Sequence, residues 1–326
     1  MSALSRAPLV SMGKAVAATV IIGALMIIVP LAPVILAPFL ALPLAYVVAR
    51  HGWHSGPIVA VVASILLYFG AGLGMAFLVF LVLASAGMVV GWAVRRGWRF
   101  PRSLTYTALS LLAALVVFGV VVWLVFGLTL TDLKQASYDS IADAGRLYAE
   151  MGLSATTVDA VSEQMRRLVD IFPYLVPGFL GMTVILIAAS MLGLAYLIFP
   201  RLKYKVAVAL SLSGFRMHWA VAYASIVGLA LLLFSRGDGA WRSVLLYAGI
   251  DILLVSQTLF FLQALGVLRW FGWDRKWQPG SRTALFVLAV VAQGLTQLTG
   301  LVGLMDTWID YRKRFALKSP GSGSAG

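Results

Sequence analysis

Residues Leu104–Leu130 read LTYTALSLLAALVVFGVVVWLVFGLTL, a run without one acidic, basic or histidine side chain. A helix rises 1.5 Å per residue, so about 20 such residues cross the ~30 Å hydrocarbon core of a bilayer. In lipid every backbone N–H must find a partner within the protein, which leaves helices and closed barrels as spanning structures. Barrel strands alternate apolar and polar positions over about ten residues. This run is apolar throughout, and it predicts a transmembrane helix. Ala15–Val29 and Met182–Phe199 have the same character, and Val244–Leu268 departs from it only at Asp251. The chain of 326 residues is 61% hydrophobic and 11% charged, with a mean hydropathy of +0.96, so spans dominate its whole length.

Nine apolar segments follow one another, at about 14–29, 33–49, 56–70, 73–94, 104–130, 172–199, 217–235, 241–268 and 281–304. The expected fold is all-α. It is a polytopic transmembrane helical bundle of eight or nine membrane segments, a single domain over residues 1–316. Pro30–Pro33 part the first two segments, and Pro38 and Pro43 within the second predict a kink or break by removing backbone donors. Gly70-Ala-Gly-Leu-Gly74 joins the third and fourth without a charge, either as a tight turn or as a helix broken at membrane depth. The first apolar run has no small-residue cleavage site after it and reads as a retained span, not a removable signal.

Charge sets the orientation. Arg50, Arg95, Arg96, Arg99, Arg102, Arg201, Lys203, Lys205, Arg216, Arg269, Arg275, Lys276 and Arg282 fall in short loops that the positive-inside rule assigns to the cytoplasm. Residues 131–171 hold seven of the twelve acidic residues against four basic ones and belong on the opposite face. The pattern describes a multi-pass membrane protein with a cytoplasmic N-terminus. The net charge of +13 resides in these loops, so nucleic acid is not an expected partner. Nine full crossings would place Arg312-Lys-Arg314 outside, against the rule. Either one segment is re-entrant or misdrawn, or the C-terminus breaks the rule; eight full crossings and a cytoplasmic C-terminus are expected.

Residues 131–171 are too polar to cross, yet Val158, Val161, Met165, Leu168 and Ile171 recur at helical spacing. Two short amphipathic helices are expected, at about 133–151 and 157–171, forming a hairpin over the outer mouth of the bundle. Thr156 and Asp159 suggest the cap of the second, and Pro173 its end. A lid and a merely solvated hairpin both fit this pattern. Residues 317–326 have flexible-linker composition.

Chemistry-bearing residues are few. Cysteine is absent, so disulfides, thiolate nucleophiles and Cys-based metal sites are ruled out. His51 and His54 flank Gly52-Trp53, but only distant His218 remains as a third histidine, and solvated interfacial histidines are the better reading. No hydrolase elbow, zincin motif or phosphate loop occurs, and no enzyme activity, metal or cofactor is expected. Asp306 and Asp310, one turn apart beside Arg312, Lys313 and Arg314, read as an ion-paired helix end. The pairs Gly13/Ala17, Ala60/Ser64 and Gly87/Gly91 mark close helix contacts, within the bundle or with a partner, and tryptophans near segment ends form an interfacial belt.

An ionisable group inside a membrane is costly and marks a candidate site. Asp251 is the one such residue here, in Tyr247-Ala-Gly-Ile-Asp251-Ile-Leu-Leu. Gln257 lies on the same segment and Gln293 and Gln297 on the last, so these four are the candidate solute-binding residues. The competing reading is that the amides only join helices by hydrogen bonds, at ~0.6–2 kcal/mol each.

The closing stretch Gly300-Leu-Val-Gly-Leu-Met-Asp306-Thr-Trp-Ile-Asp-Tyr-Arg312-Lys-Arg314 resembles the end of the YybS-like bacterial membrane proteins, a family of unknown function. The proline-broken opening hairpin, Phe172-Pro173, and Phe261-Leu-Gln263-Ala-Leu-Gly266-Val resemble that family too. Ala264 departs from its Leu-Gln-Gly-Leu pattern. The resemblance covers about 14–315. The family is distantly similar to the substrate-binding S components of energy-coupling-factor transporters, which implies a helical protein that captures a small solute from the outer side. No substrate residue carries over. Two function classes result: a small-solute binding or transport component, and a non-catalytic scaffold or assembly factor. Their partners would be the lipid bilayer with a small molecule in the first case and with another membrane protein in the second.

Overall fold

The computed structural model describes residues 6–29, 31–236 and 241–316, and every regular element among them is helical. Pro30 and the linker-like 317–326 lie outside the described residues. Five helices are long and apolar enough to cross a membrane: Pro8–Ile28 within α1 (Arg6–Ile28), Ser55–Arg96, α6 (Phe100–Phe126), α8 (Ala155–Ile198) and Arg242–Gly272 within α10 (Arg242–Asp274). A sixth candidate is the pair α11 (Pro279–Thr296) and α12 (Leu298–Ile309), which meet at 105°.

The proline-rich second segment is broken as expected, into α2 (Ala32–Leu40) and α3 (Leu42–His51), each with proline in its first turn. Next come α4 (Ser55–Val82), a π-helical turn at Leu83–Gly87, and α5 (Met88–Arg96). Gly72 interrupts α4 with φ 77 and ψ 175, which a side-chain-bearing residue rarely adopts. The rings of Trp53 and Trp92 lie 5.9 Å apart, Arg95 Nη1 donates to the Ala49 carbonyl at 3.4 Å, and a Cβ on Gly56 would stand 3.0 Å from Met88. These contacts put residues 49–56 beside 88–95, so the chain doubles back at Gly72. The glycine-rich joint is a reversal between two antiparallel helices.

The same glycine logic seats α5 on α3. A Cβ on Gly91 would come within 2.6 Å of Val48 Cβ, so only glycine permits this approach. Ala60 and Ser64 are likewise buried, whereas nothing lies within 4 Å of a Cβ on Gly13, whose face of α1 is open. The most deeply buried apolar side chains cluster here, with Leu44, Val47, Val48, Val59 and Leu83 meeting Met191 and Leu192 of α8.

Two expectations for residues 131–171 are corrected. The first helix, α7 (Leu130–Glu150), starts earlier than 133, because Thr129 and Asp132 form a reciprocal capping box. The second does not end at Pro173: α8 runs unbroken for 44 residues through Pro173 and Pro177, and its cap is Ser154, whose hydroxyl accepts from the Thr157 N–H. Proline costs α8 backbone bonds, but the helix is held on either side of it. Below Pro173, Asp170 is bound by Tyr138 and Lys134 of α7; above it, Tyr174 stacks on Tyr247 of α10 with centroids 4.8 Å apart. The amphipathic hairpin is therefore α7 packed along the first part of α8. It extends from the bundle as the same helix continues, and no residue of α7 is buried.

In the second half, Tyr174 meets Tyr247, Gly178 meets Asp251, Gly181 meets Val255 and Arg269 lies over the ring of Tyr196. The near-constant offset means that α8 and α10 are parallel. The helix between them, α9 (Ala220–Phe234), returns antiparallel, with Gly228 against Gly249. Similarly Gly300 meets Gln257, Gly303 meets Phe260 and Asp306 meets Gln263, so α12 is parallel to α10 as well. α11 starts near Gly272, where Arg282 touches it, and α13 (Tyr311–Ala316) begins beside Gly266. The α11–α12 elbow therefore begins and ends at the same end of α10.

Candidate functional site

Asp251 lies on α10, one turn from the Tyr174–Tyr247 stack. Its carboxylate packs on Gly178 of α8, directly after Pro177. A Cβ at 178 would stand 2.7 Å from Asp251 Cα, so glycine is required. Asp251 Oδ1 is buried and reached by no other side chain; only the Gly178 backbone N–H faces it. Along α10 this carboxylate sits about 13 Å from Arg242 and about 27 Å from Arg269, well inside the apolar stretch.

The three glutamines form a different construction. Gln297 has φ 57 and marks the break between α11 and α12. Gln257 Nε2 donates to the Gln297 carbonyl at 2.9 Å, and the Gly300 N–H donates to Gln293 Oε1 at 2.8 Å. Side-chain amides thus satisfy the backbone groups freed by the elbow, as a break within apolar surroundings requires. Gln257 is six residues beyond Asp251, about 9 Å along the helix and about 120° round it. It faces α12 while Asp251 faces α8. The structure brings Gln257, Gln293 and Gln297 together and keeps Asp251 apart.

A third polar group is more deeply buried. Arg312 Nη2 and Asp306 Oδ2 pair at 3.2 Å, with side chains only 5% and 3% exposed. Gln263 Nε2 donates to Asp306 Oδ2 at 3.0 Å, and Gln263 Oε1 accepts the Met217 N–H at 3.0 Å. Arg312 also donates to the carbonyls of Ser213 and Phe215, at 2.6 and 2.7 Å. This knot ties α10, α12, α13 and the connection between α8 and α9 together. Asp310 pairs outside it, with Arg216 at 3.0 Å and Lys313 at 3.5 Å. Asp306 is thus ion-paired, as the sequence suggests, but within the protein instead of at a wet helix end. His51 Nε2 meets Ser11 Oγ at 2.7 Å. Among the described residues no three His, Cys, Asp or Glu side chains converge as a metal site.

Against known families, residues 17–307 match a model described as "Predicted membrane protein (DUF2232)". The chain belongs to this family. No curated protein and no solved structure matches it. The family match takes in both polar groups of α10 and the elbow, and it ends just after Asp306.

Two features of this DUF2232 protein escaped the sequence. Gly178 is invisible as a partner of Asp251, because nothing in one chain's spacing says that residues 73 apart run in parallel. Arg312 reads as the middle of a basic cluster. Only its neighbours differ from an ordinary solvated Arg-Lys-Arg, since Asp306 lies six residues earlier.

Proposed function

We propose that this DUF2232 protein is a non-catalytic component for binding or transporting a small solute, set in a bacterial inner membrane. The observation that carries the reading is the buried Oδ1 of Asp251, without a side-chain partner between parallel helices α8 and α10. A carboxylate there is expensive, and asparagine would supply adhesion at lower cost, so a cation, a proton or a polar substrate is what would retain it. The proline pair of α8 beside Gly178 and the elbow at Gln297 are of the kind on which discontinuous-helix transporters build midplane sites. In this reading Asp251 contacts the solute. Gln257, Gln293 and Gln297 shape the wall across α10, with the side chain of exposed Gln297 the one free to reach a ligand.

The same reading takes eight crossings and one re-entrant segment. The reversal at Gly72 counts Ser55–Arg96 as two passes, α2–α3 and α9 each count as one, and the elbow counts as none. This path leaves Arg50, Arg95, Arg201, Arg269, Lys276 and Lys313 together at one end, which is the cytoplasmic end with both termini. The hairpin of α7 and α8 then projects outside.

Native mass spectrometry of the purified full chain tests the function. A bound small molecule that is lost in Asp251→Asn supports solute binding. A stoichiometric protein partner without solute would instead support the scaffold reading, for which the apolar side chains Leu133, Leu147, Val161 and Leu168 exposed on the hairpin are the specific observation.

A further inference from the structure

A cavity of about 830 Å³ opens between α1, α3 and α8 at the basic end of the molecule. Its inner part is lined by apolar groups, among them Ala18, Ile22 and Phe39, and its mouth by Lys14, Arg50 and His51. No acidic residue is among its lining. From Ser11 at the mouth to Ile22 inside, the cleft follows α1 for about 16 Å, which is the depth of one leaflet of a ~30 Å hydrocarbon core.

The mouth is organised in advance. The Tyr46 hydroxyl donates to the Leu202 carbonyl at 3.1 Å and accepts from Arg50 Nη1 at 3.0 Å, which fixes the guanidinium at the rim. Ser11 holds His51 beside it. Neither Lys14 nor Arg50 has an acidic partner within ion-pair distance among the described residues. Two cations without counter-charge therefore stand over an apolar slot one leaflet deep.

We propose that this cleft binds an anionic phospholipid from the leaflet at the basic end, with an acyl chain along α1 and the phosphate on Lys14 and Arg50. Charge complementarity selects this occupant: basic pockets between membrane helices recognise anionic headgroups, each Lys or Arg contributing about fivefold in affinity. A zwitterionic lipid would fill the slot equally well but leave the net charge at the rim uncompensated.

The test is native mass spectrometry of the full chain in detergent, titrated with phosphatidylglycerol or phosphatidylcholine. Phosphatidylglycerol is expected to bind the wild type at least tenfold more tightly. Arg50→Gln and Lys14→Gln should each weaken it about fivefold, and Ala18→Phe should abolish it by filling the slot while leaving the charges in place. Lys205→Gln, at the same end but outside the cleft, should change nothing. Equal binding of the two lipids by the wild type overturns the proposal without reference to any variant. So does an equal loss with Lys205→Gln, which would mean diffuse surface charge. Displacement of the lipid by inorganic phosphate at equal concentration would show an anion site without a role for the chain, and also overturns it. A lipid weakened about fivefold by Arg50→Gln but unchanged in Asp251→Asn separates this site from the solute site proposed above.

Discussion

Asp306 and Arg312 form an ion pair at 3.2 Å in which both side chains are almost wholly removed from solvent. Every donor around Asp306 is already placed, by Gln263, Arg312 and the Tyr311 N–H. Removing one charge strands the other, so Asp306→Ala should destabilise the protein by about 3–5 kcal/mol. The double change Asp306→Ala/Arg312→Met should recover much of that loss. Thermal unfolding in detergent checks both, and a double variant no better than the single would refute the account.

At the elbow, Gln293 Oε1 satisfies the Gly300 N–H. Gln293→Leu leaves that donor unpaired beside apolar surface and should cost about 1–3 kcal/mol in the same unfolding assay. Gln293→Glu keeps the acceptor and should be milder.

Asp251 separates ligand from adhesive. Asp251→Asn preserves size and keeps an acceptor oxygen, so the fold should persist, with an unfolding midpoint close to wild type. Any co-purifying solute should be lost. A variant that keeps its solute would dismiss Asp251 as a ligand.

The path of the chain is testable because the protein has no cysteine of its own. Single cysteines at Leu73 and Ser140 should react with an impermeant thiol reagent from one face of the membrane. Cysteines at Arg99 and Lys313 should react from the other. Labelling of positions 99 and 313 from opposite faces would make the elbow a full crossing.

The hairpin should respond to acid. Hydrogen bonds from the Thr129 hydroxyl and N–H hold the Asp132 carboxyl below its ordinary range. A depressed carboxylate stabilises the fold above its unfolded pKa of about 3.9 and loses that contribution as pH falls through the folded value. Helicity of the wild type should therefore fall below about pH 4, and Thr129→Ala should reduce the acid-dependent part. Circular dichroism between pH 6 and pH 2 reads the difference.

The helical class is legible because apolar length is a strong signal, and five helices, or six with the bent pair, have that length among the described residues. Pro38 and Pro43 announce the break in the second segment, and Gly70–Gly74 the reversal. Pro173 misleads, since a local rule gives helix ends while tertiary neighbours on both sides keep α8 going. The site is less legible. Asp251 stands out as a carboxylate within an apolar segment, but its neighbour Gly178 depends on which helices lie parallel, and a single sequence carries no distance information. The glutamines are recognisable as polar groups in spans. That they serve the backbone at Gln297 follows only from the left-handed conformation there, for which glutamine gives no warning.

The continuity of α8 has a mechanical consequence. About 27 Å of the helix lies on the hairpin side of Pro173, and about 32 Å on the other side of Pro177. These arms are of similar length, and the joint between them has lost the backbone bonds that stiffen a helix. A load applied to the hairpin tip is therefore delivered as torque at Pro173–Pro177, and the first residue beyond that fulcrum is Gly178, the seat of Asp251.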